Sequence, residues 1–237
     1  MLEQLGALDG VEVIGIVVNE KGAARAIATG TVKTLGYPCS ISETFLRRNQ
    51  NQSPEENQSV LKRIKEMADG SGLGVVAYIS MAFGNPYGDS WSEEKVVEAA
   101  RAIFSMGISA ISLADTVGAA EPERIQQILA AVLRDCPECE VGIHMHSTRA
   151  AAGEKVLAAF EAGCRRFDSA IGGLGGCPFA QDELVGNIPT EEVVRALEQR
   201  GLRLPMRDSL AHVIAMNRTI SDEFSADTGD RTASDAD

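Results

Sequence analysis

Short apolar runs alternate along the chain with longer stretches in which apolar and polar residues are mixed. The runs are rich in β-branched residues and apolar on both faces, which is typical of strands buried in a parallel sheet. They predict strands at residues 11–18, 37–42, 75–80, 108–113, 141–146 and 167–171. Strand followed by helix, repeated, predicts an α/β fold with about six parallel strands and covering helices.

The segments between these runs have the spacing of amphipathic helices. Helices are predicted at residues 92–105, 123–133, 149–162 and 191–199. A further helix start is indicated at Ser53, since Pro54 follows at the first helical position and Glu56 at the third, the pattern of a capping box. The segments 19–22 and 85–89 are typical of turns that follow strands.

The length of 237 residues fits one large α/β domain or two small ones. An eight-stranded (β/α) barrel typically uses about 250 residues. Residues 219–237 are rich in Asp, Ser, Thr and Ala, and this composition predicts a flexible acidic tail. The rest of the chain has room for about six or seven βα units. The sheet is therefore either open or a barrel without all its units.

The net charge of -12 argues against a nucleic-acid-binding protein or one that binds anionic membranes, because its field repels polyphosphate surfaces. No run approaches the roughly 20 apolar residues of a membrane span, and the first residues do not resemble a secretory signal. A cytoplasmic protein is expected. The five cysteines are an odd number in a chain of this size, which favours reduced thiols over disulfides.

Two histidines stand two residues apart at the end of a predicted strand, in the segment Gly-Ile-His-Met-His-Ser-Thr. Residues two apart in a strand point to the same side, so His144 and His146 would present two imidazoles together. This arrangement suits a metal. The alternative is two polar residues that make ordinary hydrogen bonds at a strand end.

A glycine-rich segment at residues 172–180 follows directly after a predicted strand. Its glycines permit positive φ and a close approach to a ligand, and Cys177 near its middle is expected to be an exposed thiol. The alternative is a flexible connection with an incidental cysteine.

Other polar residues lie where predicted strands end, which is the face on which barrel active sites assemble. Asp115 follows one strand, and Asn187 precedes a helix. Asp115 could instead cap the next turn, and Asn187 could take a left-handed turn conformation. Cys136 and Cys139 have metal or redox spacing, but without a second such pair a surface loop is the favoured interpretation.

Taken in order, these segments resemble 3-hydroxy-3-methylglutaryl-CoA (HMG-CoA) lyases. The resemblance runs from about residue 19 to about residue 201, and the glycine-cysteine loop is its most specific element. It rests on Ser-Glu-Thr-Phe at 42–45, Met-Ala-Phe-Gly-Asn-Pro-Tyr at 81–87, Ser-Leu-Ala-Asp-Thr-Val-Gly at 112–118, the two histidines, the loop at 173–180 and Gly-Asn at 186–187.

The resemblance implies a TIM-barrel metallolyase domain at residues 1–218, of the pyruvate carboxyltransferase type, followed by a disordered tail at 219–237. The family's first two βα units, which carry an Arg-Asp pair and a Glu, have no counterpart in the chain. The expected fold is therefore an incomplete (β/α)8 barrel with open edges near residues 11–18 and 167–171.

The activity implied by the resemblance is cleavage of HMG-CoA to acetyl-CoA and acetoacetate with Mg²⁺ or Mn²⁺. The expected partners are an acyl-CoA substrate and further copies of the chain. The metal ligands implied are His144, His146 and Asn187. The catalytic residues implied are Asp115, an active-site acid, and Cys177, which assists proton transfer. The substrate-binding residues implied are Ser42, Asn49, Ser112 and Thr116.

Two other interpretations stay open from the sequence. One is a non-catalytic homologue that associates through open sheet edges, because two imidazoles and an amide without the family's aspartate hold a hard cation weakly. The other is a related acyltransferase that forms carbon-carbon bonds, against which the Cys177 loop speaks.

Overall fold

The computed structural model describes residues 10–175 and 185–229. Strands and helices alternate through these ranges, as the hydrophobic pattern predicts. The elements are β1 (Ile14–Ile16), α1 (Glu20–Ala28), β2 (Thr34–Ser40), α2 (Glu43–Gln50), α3 (Pro54–Gly70), β3 (Gly74–Ser80), α4 (Glu93–Ser105), β4 (Ala110–Asp115), α5 (Pro122–Asp135), β5 (Glu140–Met145), α6 (Arg149–Glu161), β6 (Arg166–Asp168), α7 (Thr190–Glu198) and α8 (Leu210–Gly229). Single 3₁₀ turns lie at Ile171–Gly173 and Pro205–Ser209.

The six strands form one parallel sheet in the order β1-β2-β3-β4-β5-β6, so neighbours along the chain are also neighbours in the sheet. Helices connect the parallel strands, and the sheet curls into a half-barrel. The predicted α/β class with six parallel strands is confirmed.

The two faces of the sheet differ because successive residues of a strand point to opposite sides. On β4, Ile111 and Leu113 are fully buried in the core that the sheet forms with its helices. Ala114 has the opposite parity to these two residues, and it lines a cavity on the concave side. The apolar core is therefore on the convex, helix-covered side, and polar groups are left for the concave side.

The capping box predicted at Ser53 is present at the start of α3. The Ser53 hydroxyl accepts a hydrogen bond from the backbone nitrogen of Glu56 at 3.2 Å, and the Glu56 carboxylate accepts one from the Ser53 nitrogen at 2.7 Å. These reciprocal bonds satisfy two backbone donors that the first helical turn leaves free.

The prediction of a simple turn at residues 19–22 is wrong, because α1 begins there. Asn19 is its N-cap, and its side-chain oxygen accepts a hydrogen bond from Gly22 nitrogen at 2.8 Å. Asparagine favours both turns and helix N-caps, so the local sequence does not separate the two outcomes.

Helix α8 extends past residue 218, where the sequence predicted the barrel domain to give way to an acidic tail. It runs to Gly229 because the segment contains no glycine or proline before that residue to end it. The division of the chain at residue 218 stays a prediction. Within the described ranges, no helix is both long and apolar enough to cross a membrane.

The outer strands each have one strand neighbour among the described residues: β1 pairs with β2, and β6 pairs with β5. Apolar side chains are exposed near the first edge, where 61% of Ile16 and 48% of Val18 are accessible. In the described part of the chain the outer side of β1 is thus open, as the resemblance implies, and the pairing beyond β6 is limited to an isolated parallel bridge between Ala170 and Pro189.

Candidate active site

Two imidazole rings lie side by side where β5 ends. His144 belongs to the strand and His146 follows its last residue, so alternation turns both side chains the same way. The ring centroids are 5.2 Å apart, and the ring planes cross at 81°. Both rings line one cavity, which makes them available to a single bound group.

The cavity occupies about 640 Å³ on the concave side, at the carboxyl ends of the central strands. Its polar lining comes from Tyr78, Ser80, Thr116, Asp168, Ser169 and Asn187 in addition to the two histidines. The volume is within the range of small-molecule sites. This is also the face on which parallel α/β barrels assemble their catalytic residues.

A backbone contact sets the tautomer of His146. Its Nδ1 lies 3.0 Å from the carbonyl oxygen of Asp115, and the residue is 4% exposed. A carbonyl oxygen only accepts hydrogen bonds, so Nδ1 must donate. The lone pair of the neutral ring is therefore on Nε2, which can bind a cation or accept a proton.

His144 has an aromatic neighbour and an acidic one. The Tyr78 ring meets it edge-on with centroids 6.1 Å apart, and Asp168 Oδ2 lies 3.9 Å from its Nδ1. Burial lowers the pKa of His144, Asp168 acts in the opposite direction, and His146 lowers it further. The net decrease favours the neutral ring, which is the form that coordinates a metal.

Asp168 was not singled out by the sequence patterns, although it lies in the predicted strand at 167–171; in the structure it is the last residue of β6. Its Oδ2 accepts a hydrogen bond from the Ser112 hydroxyl at 2.9 Å, and Ser112 is completely buried. Burial raises the pKa of Tyr78 to about 12, and the negative charge of Asp168 adds to this increase. The cavity therefore contains an acidic group beside a neutral phenol.

Asp115 points away from the cavity. It has the same parity in β4 as Ile111 and Leu113, so its side chain lies on the helix-covered side. Its carboxylate accepts hydrogen bonds from the Ala119 and Ala120 nitrogens, both at 3.0 Å. These bonds hold the loop after β4, and the role of active-site acid stays a prediction.

A buried lysine completes the surroundings of Asp115. Lys155 Nζ donates to Asp115 Oδ2 at 3.2 Å. It also donates to the carbonyl oxygens of Gly118 at 2.9 Å and His146 at 3.2 Å. One ammonium group thus joins α6 to the loop after β4 and to the backbone of a candidate ligand. Its effect on the cavity is indirect, through the position of His146.

Asn187 reaches the same cavity from the segment before α7. Its backbone forms an isolated antiparallel bridge with His146, and its side-chain nitrogen donates to Leu174 oxygen at 2.9 Å. Because the nitrogen of the amide is used in this bond, the oxygen is the atom suited to a cation. The structure brings Asn187 to the two histidines, and their role as ligands stays a prediction.

The four residues expected to bind substrate lie at different depths. Thr116 lines the cavity, and its hydroxyl accepts a hydrogen bond from Met81 nitrogen at 3.0 Å. Ser112 contacts Asp168 below the cavity. Ser42 and Asn49 instead form hydrogen bonds with the backbone of α2. The Ser42 hydroxyl caps the helix by accepting from Phe45 nitrogen, and the Asn49 amide donates to Phe45 oxygen at 2.8 Å.

Cys177 lies outside the described residues, so its predicted role is not tested. The glycines that lead to it have positive φ, with 71° at Gly172 and 72° at Gly173. The start of this segment is attached to α7, since Glu191 accepts a hydrogen bond from Gly172 nitrogen at 3.0 Å. Glu191 also pairs with Arg149 on α6 at 2.6 Å.

The donor atoms can be compared with the needs of a divalent metal. In residues 10–175 and 185–229, no group of three or more His, Cys, Asp or Glu side chains is arranged to hold an ion. His144, His146 and Asn187 offer two imidazole nitrogens and an amide oxygen around one cavity. They fit one divalent ion as a partial, neutral set, and a carboxylate lies close by at Asp168.

Comparison with known proteins gives a consistent result. The HMGL-like family model matches residues 11–220. The chain is 37% identical over 194 residues to hydroxymethylglutaryl-CoA lyase YngG of Bacillus subtilis, covering 82% of this chain and 64% of that protein. It thus spans somewhat less than two thirds of that curated relative.

Solved structures agree with this match. The HMG-CoA lyase of Brucella melitensis superposes with a TM-score of 0.84 at 30% identity, covering 92% of this chain and 77% of that one. An HMG-CoA lyase from Acinetobacter baumannii, solved with coenzyme A and 3-methylmalate, gives a TM-score of 0.78 at 33% identity, covering 85% and 65%. The expected TIM-barrel-like architecture is confirmed by these similarities.

Proposed function

Because this chain belongs to the HMGL-like family, we propose that the protein is a carbon-carbon lyase that cleaves HMG-CoA to acetyl-CoA and acetoacetate. The observation that carries the proposal is the convergence of His144, His146 and Asn187 on one cavity. The relatives support it, since the similar B. subtilis protein is named a hydroxymethylglutaryl-CoA lyase. The coenzyme A bound in a solved relative supports an acyl-CoA substrate.

The proposed reaction removes the proton of the substrate's tertiary hydroxyl and breaks the bond between C2 and C3. The electron pair of that bond goes to C2, and the hydroxyl-bearing carbon becomes the ketone of acetoacetate. C2 then takes up a proton to complete acetyl-CoA. The site must therefore stabilise negative charge on an oxygen and deliver one proton to carbon.

His144, His146 and Asn187 would hold Mg²⁺ or Mn²⁺ in this site. A bound divalent ion supplies Lewis-acid charge, which makes loss of the hydroxyl proton easier. The protein positions its metal-binding side chains before substrate arrives. The backbone carbonyl oxygen of Asp115 fixes the His146 ring, and that of Leu174 fixes the Asn187 amide. Such preorganisation lowers the cost of charge development during the reaction.

Thr116 and Cys177 complete the proposed site. The Thr116 hydroxyl accepts from a backbone amide, so its own hydrogen is free to be donated to a substrate oxygen. Cys177, by resemblance to the family, would supply or relay the proton to C2 from the glycine loop, with water kept away from the carbanion. Both roles are proposals, as is a cytosolic location.

Acetoacetate release by the purified chain tests the proposal directly. We expect release from HMG-CoA that requires Mn²⁺ or Mg²⁺ and stops with a chelator. His146→Gln should abolish it, whereas His212→Gln, on exposed α8, should leave it unchanged. Absence of release in the presence of both metals would contradict a lyase function for this chain.

A second candidate is supported by the open edges of the sheet. Ile16 at the end of β1 and Val18 just after it are exposed, and the outer side of β1 has no strand neighbour in the described part of the chain. Such edges favour association between copies, so a self-associating protein without turnover would show the same surface. Light scattering together with a Mn²⁺ titration distinguishes them: oligomers without metal uptake or acetoacetate release favour this second function.

A further inference from the structure

We propose that Asp168, held by Ser112, is a positioning residue of the site formed by His144 and His146, called here the two-histidine site. In this role its carboxylate orients the ring of His144 and supplies negative charge close to a set of neutral ligands. The inference rests on the proposed function, since it assumes that His144 and His146 bind a divalent ion.

The register of the sheet fixes Asp168 beside His144. In the parallel pairing of β5 with β6, His144 lies directly opposite Asp168. Paired residues point to the same face, so the carboxylate and the imidazole share the concave side. A slip of one residue would turn Asp168 to the opposite face, and the hydrogen-bonded ladder opposes such a slip.

Ser112 determines the direction of the carboxylate. The hydroxyl belongs to β4, two strands away, and donates to Asp168 Oδ2 at 2.9 Å. The residue opposite Ser112 on the intervening strand is Gly142, which has no side chain to block this contact. Because Ser112 is completely buried, its hydroxyl finds its acceptor within the protein and holds Asp168 in one orientation.

The distance from Asp168 to His144 indicates an indirect role. At 3.9 Å from Nδ1, Oδ2 is too far for a hydrogen bond but close enough for a charge interaction. A negative charge at this position favours the His144 tautomer that carries its proton on Nδ1, which leaves Nε2 for a metal. In many metal sites a carboxylate fixes the tautomer of a ligand histidine by accepting its other ring N–H, whereas Asp168 acts on His144 through its charge.

Asp115 is not equivalent to Asp168. Its charge is balanced by the buried ammonium of Lys155 and by two backbone amides, and its side chain is on the helix-covered side. The carboxylate of Asp168 lines the cavity itself. Asp168 is therefore the acid whose charge reaches the two-histidine site.

Mn²⁺ binding to the full chain, measured by electron paramagnetic resonance, tests the inference. We expect Asp168→Asn to weaken binding about 10- to 100-fold, as for other residues that orient ligands. Asp168→Glu should recover part of this loss, and Ser112→Ala should weaken binding less than Asp168→Asn. Asp69→Asn removes an equal charge from the exposed Lys65 pair and should have no effect.

The tautomer of His144, measured by nitrogen NMR without metal, gives a second readout that a purely structural role would not change. Asp168→Asn should shift the His144 ring toward the tautomer with its proton on Nε2 while leaving His146 as it is. If Asp168→Asn does not fold, Ser112→Ala is decisive in both measurements. Unchanged metal affinity or unchanged His144 signals in a folded variant would refute the inference.

The outcomes separate this inference from the proposed function. A native chain that takes up no Mn²⁺ contradicts the metal-dependent lyase and the inference with it. A native chain that binds Mn²⁺ and releases acetoacetate, combined with an Asp168→Asn variant of equal affinity, contradicts the inference alone.

Discussion

Lys155 places its ammonium nitrogen 3.2 Å from Oδ2 of Asp115, and 7% and 2% of the two side chains are exposed. The pair joins α6 to the end of β4. Water is largely excluded from both charges, so each depends on the other and on the surrounding backbone dipoles. Because Lys155 also bonds His146 oxygen, the pair supports one of the candidate metal ligands from behind.

Lys155→Met should destabilise the fold by about 3 to 5 kcal/mol, because it leaves the Asp115 carboxylate buried without its partner. Urea unfolding followed by circular dichroism measures this change. Lys65→Met is the control: Lys65 pairs with Asp69 on the surface of α3, and its loss should cost about 1 kcal/mol or less. Equal losses in the two variants would show that the buried pair stabilises the fold no more than the surface pair does.

Gly173→Ala should weaken metal binding in addition to lowering stability. A Cβ at this position would lie 3.0 Å from the backbone oxygen of Asn187 and 3.0 Å from Pro189 Cγ, so the segment that carries Asn187 must shift. Gly201→Ala is the matched control, since Gly201 has a φ of 80° but open space around it. The control should lose about 1 to 2 kcal/mol from backbone strain alone. Native Mn²⁺ affinity in Gly173→Ala would contradict this account of Asn187.

Asp89 should contribute stability that disappears in acid. Hydrogen bonds from Ser42 and then Thr44 lower the pKa of the Asp89 carboxyl despite its partial burial. Since the folded pKa is below the unfolded value of about 3.9, the contribution is present above that value and is lost as the pH falls through the folded pKa. The stability difference between native protein and Asp89→Asn should therefore shrink below about pH 4.

Urea unfolding at stepped pH checks this prediction. Thr148→Ala is the control, because Thr148 caps α6 through a backbone nitrogen with no acidic residue in the first turn. Its loss of about 1 kcal/mol should not depend on pH in the same window. A constant difference for Asp89→Asn from pH 7 to pH 3 would mean that its hydrogen bonds add no stability.

One thiol should react much faster than the others. The four described cysteines are buried, and burial raises the pKa to about 12 for Cys39 and about 11 for Cys139 and Cys164. Thiolates are scarce at such values, so these groups should label slowly near pH 8. Cys177 is expected from its glycine-rich surroundings to account for the fast phase.

Cys177→Ala should remove the fast phase of labelling by a disulfide reagent and reduce acetoacetate release sharply, with little change in Mn²⁺ affinity. Cys139→Ala is the control and should leave the fast phase in place. An unchanged rate of release in Cys177→Ala would refute its role in proton transfer.

The order of strands and helices could be predicted from local sequence because each element carries its own pattern. The β4 run and the capping box at Ser53 depend on neighbours within a few residues, and the structure contains both. Asp115 was expected on the catalytic face, but it has the parity of Ile111 and Leu113, and its side chain lies on the helix-covered side. The start of α1 was missed, since Asn19 is compatible with a cap and with a turn.

The sequence by itself determined that His144 and His146 point the same way, because a strand alternates with a period of two residues. Only the tertiary structure decided which groups meet them. Asp168 is opposite His144 through strand register, and the hydroxyl that holds it comes from Ser112, 56 residues earlier in the chain. Such contacts depend on how whole elements pack together, and no short stretch of sequence contains that information.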